Sequence, residues 1–309
     1  LYCNNFIFAK HRSLKVITDK LRMNSMLGSW NMKKLLAIIV LGLMNFDYVE
    51  AGTFKGKKYV YEYLKQLKTV IKKDDPTDFK ELKFIRKSEG KELMTTAGKP
   101  NRSDNSGKRK TFRYDAYIFQ AIYNSGHEIK FFVDADYAKN SDKAEKFALH
   151  YAKAIGQIPA FLREASTNLY TINKNPSKGV ENIIIGKGNY RWWADFSQKQ
   201  FLIYPQNKWT PTDLIIMHEA AHLTIYAKLI LDDTWINALM TDKKYITKYA
   251  TTLFGEDISD TISFWVAVRC SDKSDKIKEK ILKAIPNRIN ALDKFVKDNK
   301  LSTSPMVCS

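Results

Sequence analysis

Two histidines four residues apart, on a stretch that favours a helix, constrain this chain more than any other feature. No glycine or proline occurs in residues 214–229, and most side chains there are apolar. At 3.6 residues per turn, His218 and His222 lie on one face of such a helix, so both imidazoles can reach one metal ion. Glu219 would then point to the water side of that metal. The alternative is a buried helix whose polar residues are satisfied by neighbouring groups.

The residues before this stretch predict where the helix begins. Thr210 or Thr212 can cap it, and Pro211 suits its first turn. Asp213 is favourable at the positive end of the helix dipole. We therefore expect the helix to begin close to residue 212.

A catalytic zinc site needs three protein ligands and an open position for water, so a third ligand should lie elsewhere in the chain. Glu256 and Asp260 are four residues apart and share one helical face, with Asp257 adjacent as an alternative ligand. One carboxylate there can bind zinc while another orients a histidine through its second ring nitrogen. Cys270 is a further available donor. The alternative is that Glu256 and Asp257 only favour a helix N-terminus after Gly255.

The pattern Glu-x-Ile-Ser-Asp that begins at Glu256 resembles the second-helix motif of thermolysin. Together with His-Glu-x-x-His, it resembles the gluzincin class of zinc peptidases, which implies that Glu256 is the third ligand and that Asp260 orients His218. Tyr249 lies seven residues before Glu256, an arrangement similar to that of anthrax lethal factor and the Pro-Pro endopeptidases, where a tyrosine faces the reacting carbonyl. The resemblance implies Zn²⁺ as cofactor, with Glu219 and Tyr249 as the catalytic residues.

A wider resemblance covers most of the chain after residue 51. The motifs at 154–163, 218–222, 256–260, 265–269 and 285–289 occur in the same order as in a family of exported His-Glu-x-x-His proteins classed as metallopeptidases. The tryptophan-rich segment 190–196 has no counterpart in that family. The resemblance is specific for family membership and implies little about the substrate.

The hydrophobic pattern predicts an α+β fold with a small mixed sheet, the His-Glu-x-x-His helix and a C-terminal helical subdomain. The family resemblance implies that this domain is zincin-like. Strands are predicted at 112–123, 128–132, 168–173, 182–185 and 199–204, with a helix over 141–155 and a loop over 186–195. An Asn-Ser-Gly turn at 124–126 predicts a hairpin between the first two strands.

The N-terminal part of the mature chain shows a different pattern. Apolar residues in 59–73 recur at helical spacing, and a second apolar stretch follows in 77–87, so we predict an N-terminal helical segment over 52–94. Residues 95–110 are rich in Gly, Ser, Asn and charge and predict a linker. The zinc-peptidase-like domain would then span 111–300, with a tail at 301–309. The N-terminal segment would either pack on the main domain or form an accessory or pro-segment.

A secretory signal peptide is predicted at 32–51. Lys33 and Lys34 follow Met32, an apolar stretch occupies 35–44, and a small-residue cleavage site precedes Gly52. Residues 1–31 show no steady periodicity and are interpreted as a non-native or unstructured extension. The pattern predicts a secreted or periplasmic protein.

Charge and cysteine content bear on partners and compartment. The formal net charge of +18 favours attraction to anionic cell surfaces, but no aromatic-and-basic motif predicts specific nucleic-acid binding. Only Cys270 and Cys308 remain after cleavage of the leader. In an oxidising compartment they could pair and hold the C-terminal tail to the helix near Cys270, or they could remain free thiols.

The sequence thus predicts an exported zinc endopeptidase that acts on a protein or peptide substrate, with Glu219 as general base. One alternative is a non-catalytic, basic binding protein whose zinc site is structural or vestigial. A structural site usually has four ligands, and only three good ones are found here. The other alternative is a secreted, toxin-like protease with the same zinc chemistry and a host protein as target. The oligomeric state does not follow from the sequence.

Overall fold

A computed structural model of the chain describes residues 58–96, 110–170, 176–188, 190, 192–195, 200–208 and 210–309. The extension at 1–31, the signal peptide at 32–51, the cleavage site before Gly52 and residues 97–109 of the predicted linker lie outside these ranges. None of the helices in the described ranges is long and apolar enough to span a membrane.

A six-stranded mixed sheet forms the framework of the protein. Its strands are β2 (Phe79–Thr96), β3 (Lys110–Tyr123), β4 (Glu128–Asp134), β7 (Asn182–Ile185), β8 (Trp193–Asp195) and β9 (Gln200–Ile203), in the spatial order β2-β3-β4-β7-β9-β8. The pairs β4/β7 and β7/β9 are parallel, and the other three pairs are antiparallel. Two small ladders accompany it: β1 (Tyr59–Tyr61) runs parallel to β10 (Tyr245–Thr247), and β5 (Ser166–Tyr170) is antiparallel to β6 (Pro176–Ser177).

Eight α-helices occur in the described part of the chain, and most of them follow the sheet in sequence. They are α1 (Ala135–Ala138), α2 (Ser141–Gln157), α3 (Thr212–Leu223), α4 (Tyr226–Leu229), α5 (Asp233–Asp242), α6 (Phe254–Arg269), α7 (Asp275–Ala284) and α8 (Pro286–Asp298). Short 3₁₀ turns occupy Leu64–Leu67, Ala160–Leu162 and Tyr249–Thr251. The predicted α+β class with a mixed sheet is therefore confirmed.

The core is formed by apolar residues of the sheet and of the helices that pack on it. Along β4, Ile129, Phe131 and Val133 are fully buried and alternate with more exposed residues, as expected for a strand with one covered face. The three isoleucines of β7 are all buried because this strand is internal and parallel to both its neighbours. Helix α2 packs on the sheet through a stripe of small and apolar residues, which confirms the predicted helix.

The predicted N-terminal helical segment is wrong. Residues 59–73 contain β1 and one 3₁₀ turn, and the apolar residues Leu64, Leu67, Val70 and Ile71 are buried by tertiary packing. Apolar spacing alone does not distinguish this packing from a helix.

The second predicted N-terminal helix, over 77–87, is also wrong because these residues enter strand β2. Register shifts at Phe84/Arg86 and Ser88/Glu92 displace the two-residue alternation, so the strand does not show its period in the sequence. Strand β2 pairs with β3 up to Thr96 opposite Lys110, so residues 79–94 belong to the main sheet.

The loop predicted over 186–195 is partly wrong, because its last three residues form β8, an edge strand of the sheet. The predicted hairpin turn is confirmed: Gly126 has φ +84°, and its N–H donates to the carbonyl of Tyr123 at 2.9 Å. Glycine reaches this left-handed conformation without the strain that a Cβ would cause.

The C-terminal tail is held by the disulfide between Cys270 and Cys308, which confirms the pairing that the sequence left open. Cys270 follows the last residue of α6 directly. The N–H of Ser309 also donates to the carbonyl of Arg269 at 2.9 Å. Both contacts anchor the tail to the helix that carries Glu256.

Candidate metal centre

Helix α3 brings the side chains of both histidines together. The Nε2 atoms of His218 and His222 are 3.3 Å apart, as the i, i+4 spacing predicts. The helix begins at Thr212, after Pro211, and no side chain caps it, so the predicted threonine cap is wrong. Asp213 lies in the first turn as predicted, and its carboxylate accepts the N–H groups of Val70 and Ile71 at 2.6 and 2.9 Å.

Helix α3 ends earlier than its sequence predicts. It stops at Leu223, and a second short helix, α4, begins at Tyr226. The Thr224 hydroxyl donates to the carbonyl of Ala220 at 2.9 Å. Threonine that hydrogen-bonds one turn back competes with the helical backbone and often bends helices, which accounts for the break.

Helix α6 brings Glu256 to the two histidines. Its Oε2 atom lies 3.1 Å from Nε2 of His218 and 3.3 Å from Nε2 of His222. Gly255, the residue before Glu256, lies against the ring of Tyr226, because a Cβ at that position would lie 2.6 Å from Cε2 of Tyr226. These three side chains form the one group in the described ranges whose donor atoms could hold a metal ion together.

The spacing of the three donor atoms fits a tetrahedral zinc site. Zinc binds imidazole nitrogen at about 2.0–2.1 Å and carboxylate oxygen at a similar distance, so two ligands of a tetrahedron are about 3.3 Å apart. The observed separations of 3.1, 3.3 and 3.3 Å match that edge length. Three donors define one face of a tetrahedron, so a fourth position remains for water or substrate. Cys270 contributes no fourth ligand because its sulfur is in the disulfide.

Asp260 orients His218 as the sequence predicts. Its Oδ1 atom is 2.7 Å from Nδ1 of His218, and its side chain is fully buried. With its Nδ1 proton donated to Asp260, a neutral His218 ring would present the lone pair of Nε2 to a metal ion. The second oxygen, Oδ2, accepts the hydroxyl proton of Thr247.

In the protein without metal, the charges of the three ligands are coupled. Burial lowers the pKa of His218, but hydrogen bonds to Asp260 and Glu256 outweigh burial and raise that pKa well above its usual value. Burial raises the pKa of Glu256, but the charge of His222 and hydrogen bonds from both histidines outweigh it and hold that pKa below its usual value. A metal ion would therefore compete with a proton for this cluster.

Glu219 is buried beside the ligands without being one of them. Its Oε2 atom accepts the N–H of Ala194, in strand β8, at 2.8 Å. Burial raises its pKa to about 7, although the neighbouring histidines His218 and His222 act in the opposite direction. A carboxylate with a pKa near neutrality is suited to accept and return a proton.

Tyr249 is a partly exposed residue beside His218. It begins the 3₁₀ turn Tyr249–Thr251, its side chain is 39% exposed, and its ring centroid is 6.0 Å from that of His218. A tyrosine in this place can reach a group bound next to the histidines.

Asp257, the alternative ligand, lies outside the cluster. It is fully buried and pairs with Arg288, which also donates through Nε to Asp242 at 3.1 Å. Of the two candidate carboxylates, Glu256 is therefore the one that lies beside the histidines, whereas Asp257 faces a buried cation.

Sequence reasoning missed two residues that contact the site, Thr247 and Ala194, and also the pair Asp242 and Arg288 that surrounds Asp257 on α6. A signal for Arg288 was available, because it lies on the apolar stripe of α8 between Ile285, Ile289 and Leu292. A cation on a buried stripe needs a buried anion. Ala194 contributes only its backbone, which no motif could indicate.

No protein-family model, curated protein or solved structure matches this chain.

Proposed function

We propose that this chain is a zinc-dependent endopeptidase with a zincin-like domain of the gluzincin type. The observation that carries the proposal is the triangle of His218, His222 and Glu256, whose donor atoms have the separations of three tetrahedral zinc ligands. Glu219, buried beside this triangle, has no role in a purely structural site.

A zinc ion held by these ligands would acidify water and polarise the scissile carbonyl. Glu219 takes the proton from the attacking water and later delivers it to the leaving amine. The N–H of Ala194 holds the Glu219 carboxylate in place at 2.8 Å. Tyr249 donates a hydrogen bond to the oxyanion that develops at the carbonyl, a contact that strengthens as charge accumulates.

In the described part of the six-stranded sheet, the edge strand beside this site is β8. The strands predicted at 182–185 and 199–204 are β7 and β9, and both are internal, so neither can pair with a substrate. Strand β8 is the edge strand, and Ala194 within it contacts Glu219. We infer that a substrate pairs with β8 by strand addition, which brings its peptide groups past the general base.

Export of the protein belongs to the same proposal. The leader pattern at 32–51 supports it, and the Cys270–Cys308 disulfide is typical of an oxidising compartment. The net charge of +18 favours contact with anionic cell surfaces and gives no reason to expect a specific nucleic-acid partner.

The test is a metal analysis followed by cleavage of a peptide library. Protein loaded with one equivalent of zinc should cleave library members, a chelator should stop the cleavage, and zinc should restore it. Glu219→Gln is the matched control: it should bind zinc like the wild type and lose turnover by about 10²–10⁴-fold. If fully zinc-loaded protein cleaves no library member, the non-catalytic binding protein becomes the better description. A toxin-like protease would cleave few library members and require a particular host protein.

A further inference from the structure

Thr247 is a buried residue to which the sequence assigns no role, although it touches two parts of the proposed site. It is the last residue of β10 and is fully buried. Its backbone is held by strand pairing, because Tyr61 in β1 lies opposite Thr247, and the N–H of Lys248 donates to the carbonyl of Tyr61 at 2.9 Å. The position of its side chain is therefore set by the fold and not by the metal.

The hydroxyl of Thr247 makes two hydrogen bonds with fixed directions. The N–H of Ala250 donates to Thr247 Oγ1 at 3.0 Å, which uses a lone pair of the hydroxyl. A hydroxyl has a single proton to donate, and the Thr247 proton goes to Oδ2 of Asp260. The two bonds therefore run in one direction, from Ala250 through Thr247 to Asp260.

Each end of this pair of hydrogen bonds reaches a part of the proposed site. Both oxygens of Asp260 are engaged, Oδ2 by Thr247 and Oδ1 by Nδ1 of His218 at 2.7 Å, so the plane of the carboxylate and the ring of His218 are fixed together. Ala250 lies in the 3₁₀ turn that begins with Tyr249, so the other bond fixes the backbone that carries the tyrosine.

We propose that Thr247 is a positioning residue that couples the orientation of His218 to the placement of Tyr249. Through Asp260, on helix α6, it would hold Nε2 of His218 towards the metal. Through Ala250 it holds the 3₁₀ turn that begins with Tyr249 beside the same helix α6. The inference rests on the proposed function for its catalytic part, whereas its effect on metal binding does not require turnover.

The competing explanation is that Thr247 only fills space in the core. Thr247→Val keeps nearly the same volume and removes the hydroxyl, whereas Thr247→Ser keeps the hydroxyl and removes a methyl group. A space-filling role predicts that serine is the worse replacement, and a positioning role predicts that valine is. The pair of variants therefore separates the two explanations.

The experiment measures zinc affinity by competition with a chelator, amide hydrogen exchange of Ala250 in the metal-free protein, and kcat and KM for a cleaved peptide. For Thr247→Val we expect zinc affinity to fall about tenfold, at the lower end of the range for residues that orient metal ligands. Exchange at Ala250 should accelerate and kcat should fall with little change in KM. Thr247→Ser should stay within about threefold of the wild type in each measurement.

A double variant tests the coupling to Tyr249. If Thr247 acts partly through that residue, adding Thr247→Val to Tyr249→Phe should lower kcat by less than it does in the wild type. Should Thr247→Val not fold, Thr247→Ala compared with Thr247→Ser provides the same hydroxyl contrast.

Equal zinc affinity and equal Ala250 exchange for the valine and serine variants would overturn the positioning role. Absence of peptide cleavage, with zinc affinity still divided between valine and serine, would contradict the proposed peptidase function and leave the positioning of His218 intact.

Discussion

Substitution of Arg288 by methionine should destabilise the protein more than any surface change of similar size. The Arg288 side chain is fully buried and donates to Asp257, to Asp242 and to the carbonyl of Lys244. Methionine keeps much of the volume but leaves two buried carboxylates without a cation. Two charge-assisted hydrogen bonds are worth about 1.5–3 kcal/mol each. That sum agrees with the cost of about 3–5 kcal/mol for breaking a buried ion pair from one side.

The assay is urea unfolding of the metal-free, disulfide-intact protein, followed by tryptophan fluorescence. Arg269→Met is the matched control, because Arg269 pairs with Asp293 in a geometry that leaves about a quarter and a third of the two side chains exposed. A partly exposed ion pair contributes about 0–1 kcal/mol to the free energy of unfolding, and the two-pronged contact of Arg269 with Asp293 places this control at the upper end of that range. We expect the Arg288 variant to lose at least three times as much stability as this control.

The cost of Arg288→Met should also depend on pH. Burial raises the pKa of Asp257 to about 7, and Arg288 opposes that rise. A carboxyl group whose pKa is raised in the folded state contributes stability at low pH and loses it as pH rises towards the folded pKa. Without Arg288 the folded pKa is higher still, so the loss continues to higher pH, and the variant falls further below the wild type at pH 9 than at pH 5.

Adding Asp257→Asn to Arg288→Met removes one of the two carboxylates left without a cation and should recover part of the lost stability. Three results would refute this reasoning. The first is a cost no larger than that of Arg269→Met, the second is an equal cost at pH 5 and pH 9, and the third is no recovery on addition of Asp257→Asn. Far-UV circular dichroism of each variant establishes that a folded state is being compared.

Three further predictions concern the proposed metal centre. His222→Ala and Glu256→Ala should each lose bound zinc in a metal analysis; zinc retained by Glu256→Ala and lost by Asp257→Ala would show that the ligand is misassigned. Tyr249→Phe should keep its zinc and lower kcat by about 10²–10³-fold, as loss of an oxyanion donor does; an unchanged kcat would exclude that role. Because only ionised Glu219 accepts a proton, kcat/KM should fall as the pH drops through the pKa of Glu219, which burial raises to about 7 in the metal-free protein and which a zinc ion would lower. A Glu219→Gln variant that kept this acidic limb would contradict the assignment.

The spatial pairing of the candidate residues could be predicted because their geometry is local, whereas the choice of Glu256 over Asp257 came from the family resemblance. His218 and His222 are one helical turn apart, and Glu256 and Asp260 are one turn apart on a second helix, so each pair depends only on the helix itself. The same holds for α2, whose apolar stripe has helical period throughout. Residues one turn apart on a helix stay neighbours however the other helices and strands are arranged.

The errors occur where packing decides the structure. Residues 59–73 repeat like a helix, but pairing of β1 with β10 and burial against the main domain outweigh that preference. Strand β2 escaped detection because its register shifts break the alternation. Strand β8 is only three residues long, and its role as an edge depends on which strand pairs with β9. None of these three outcomes can be read from a window of the sequence.

The support of the site comes from the same long-range contacts, and this changes the interpretation of the N-terminal segment. Strand β1 holds the backbone of Thr247, and the N–H groups of Val70 and Ile71 bind Asp213 at the start of α3. Removal of a pro-segment after folding should leave the helices that carry the proposed ligands intact. Removal of this segment would instead take hydrogen-bonding partners away from the carboxylate of Asp213 and from the strand that carries Thr247. Strand β2, before the predicted linker, is also paired along its length with β3, after that linker. The segment is therefore part of the folded domain, because it contacts the start of α3 directly and pairs with β10, whose Thr247 bonds Asp260 of α6.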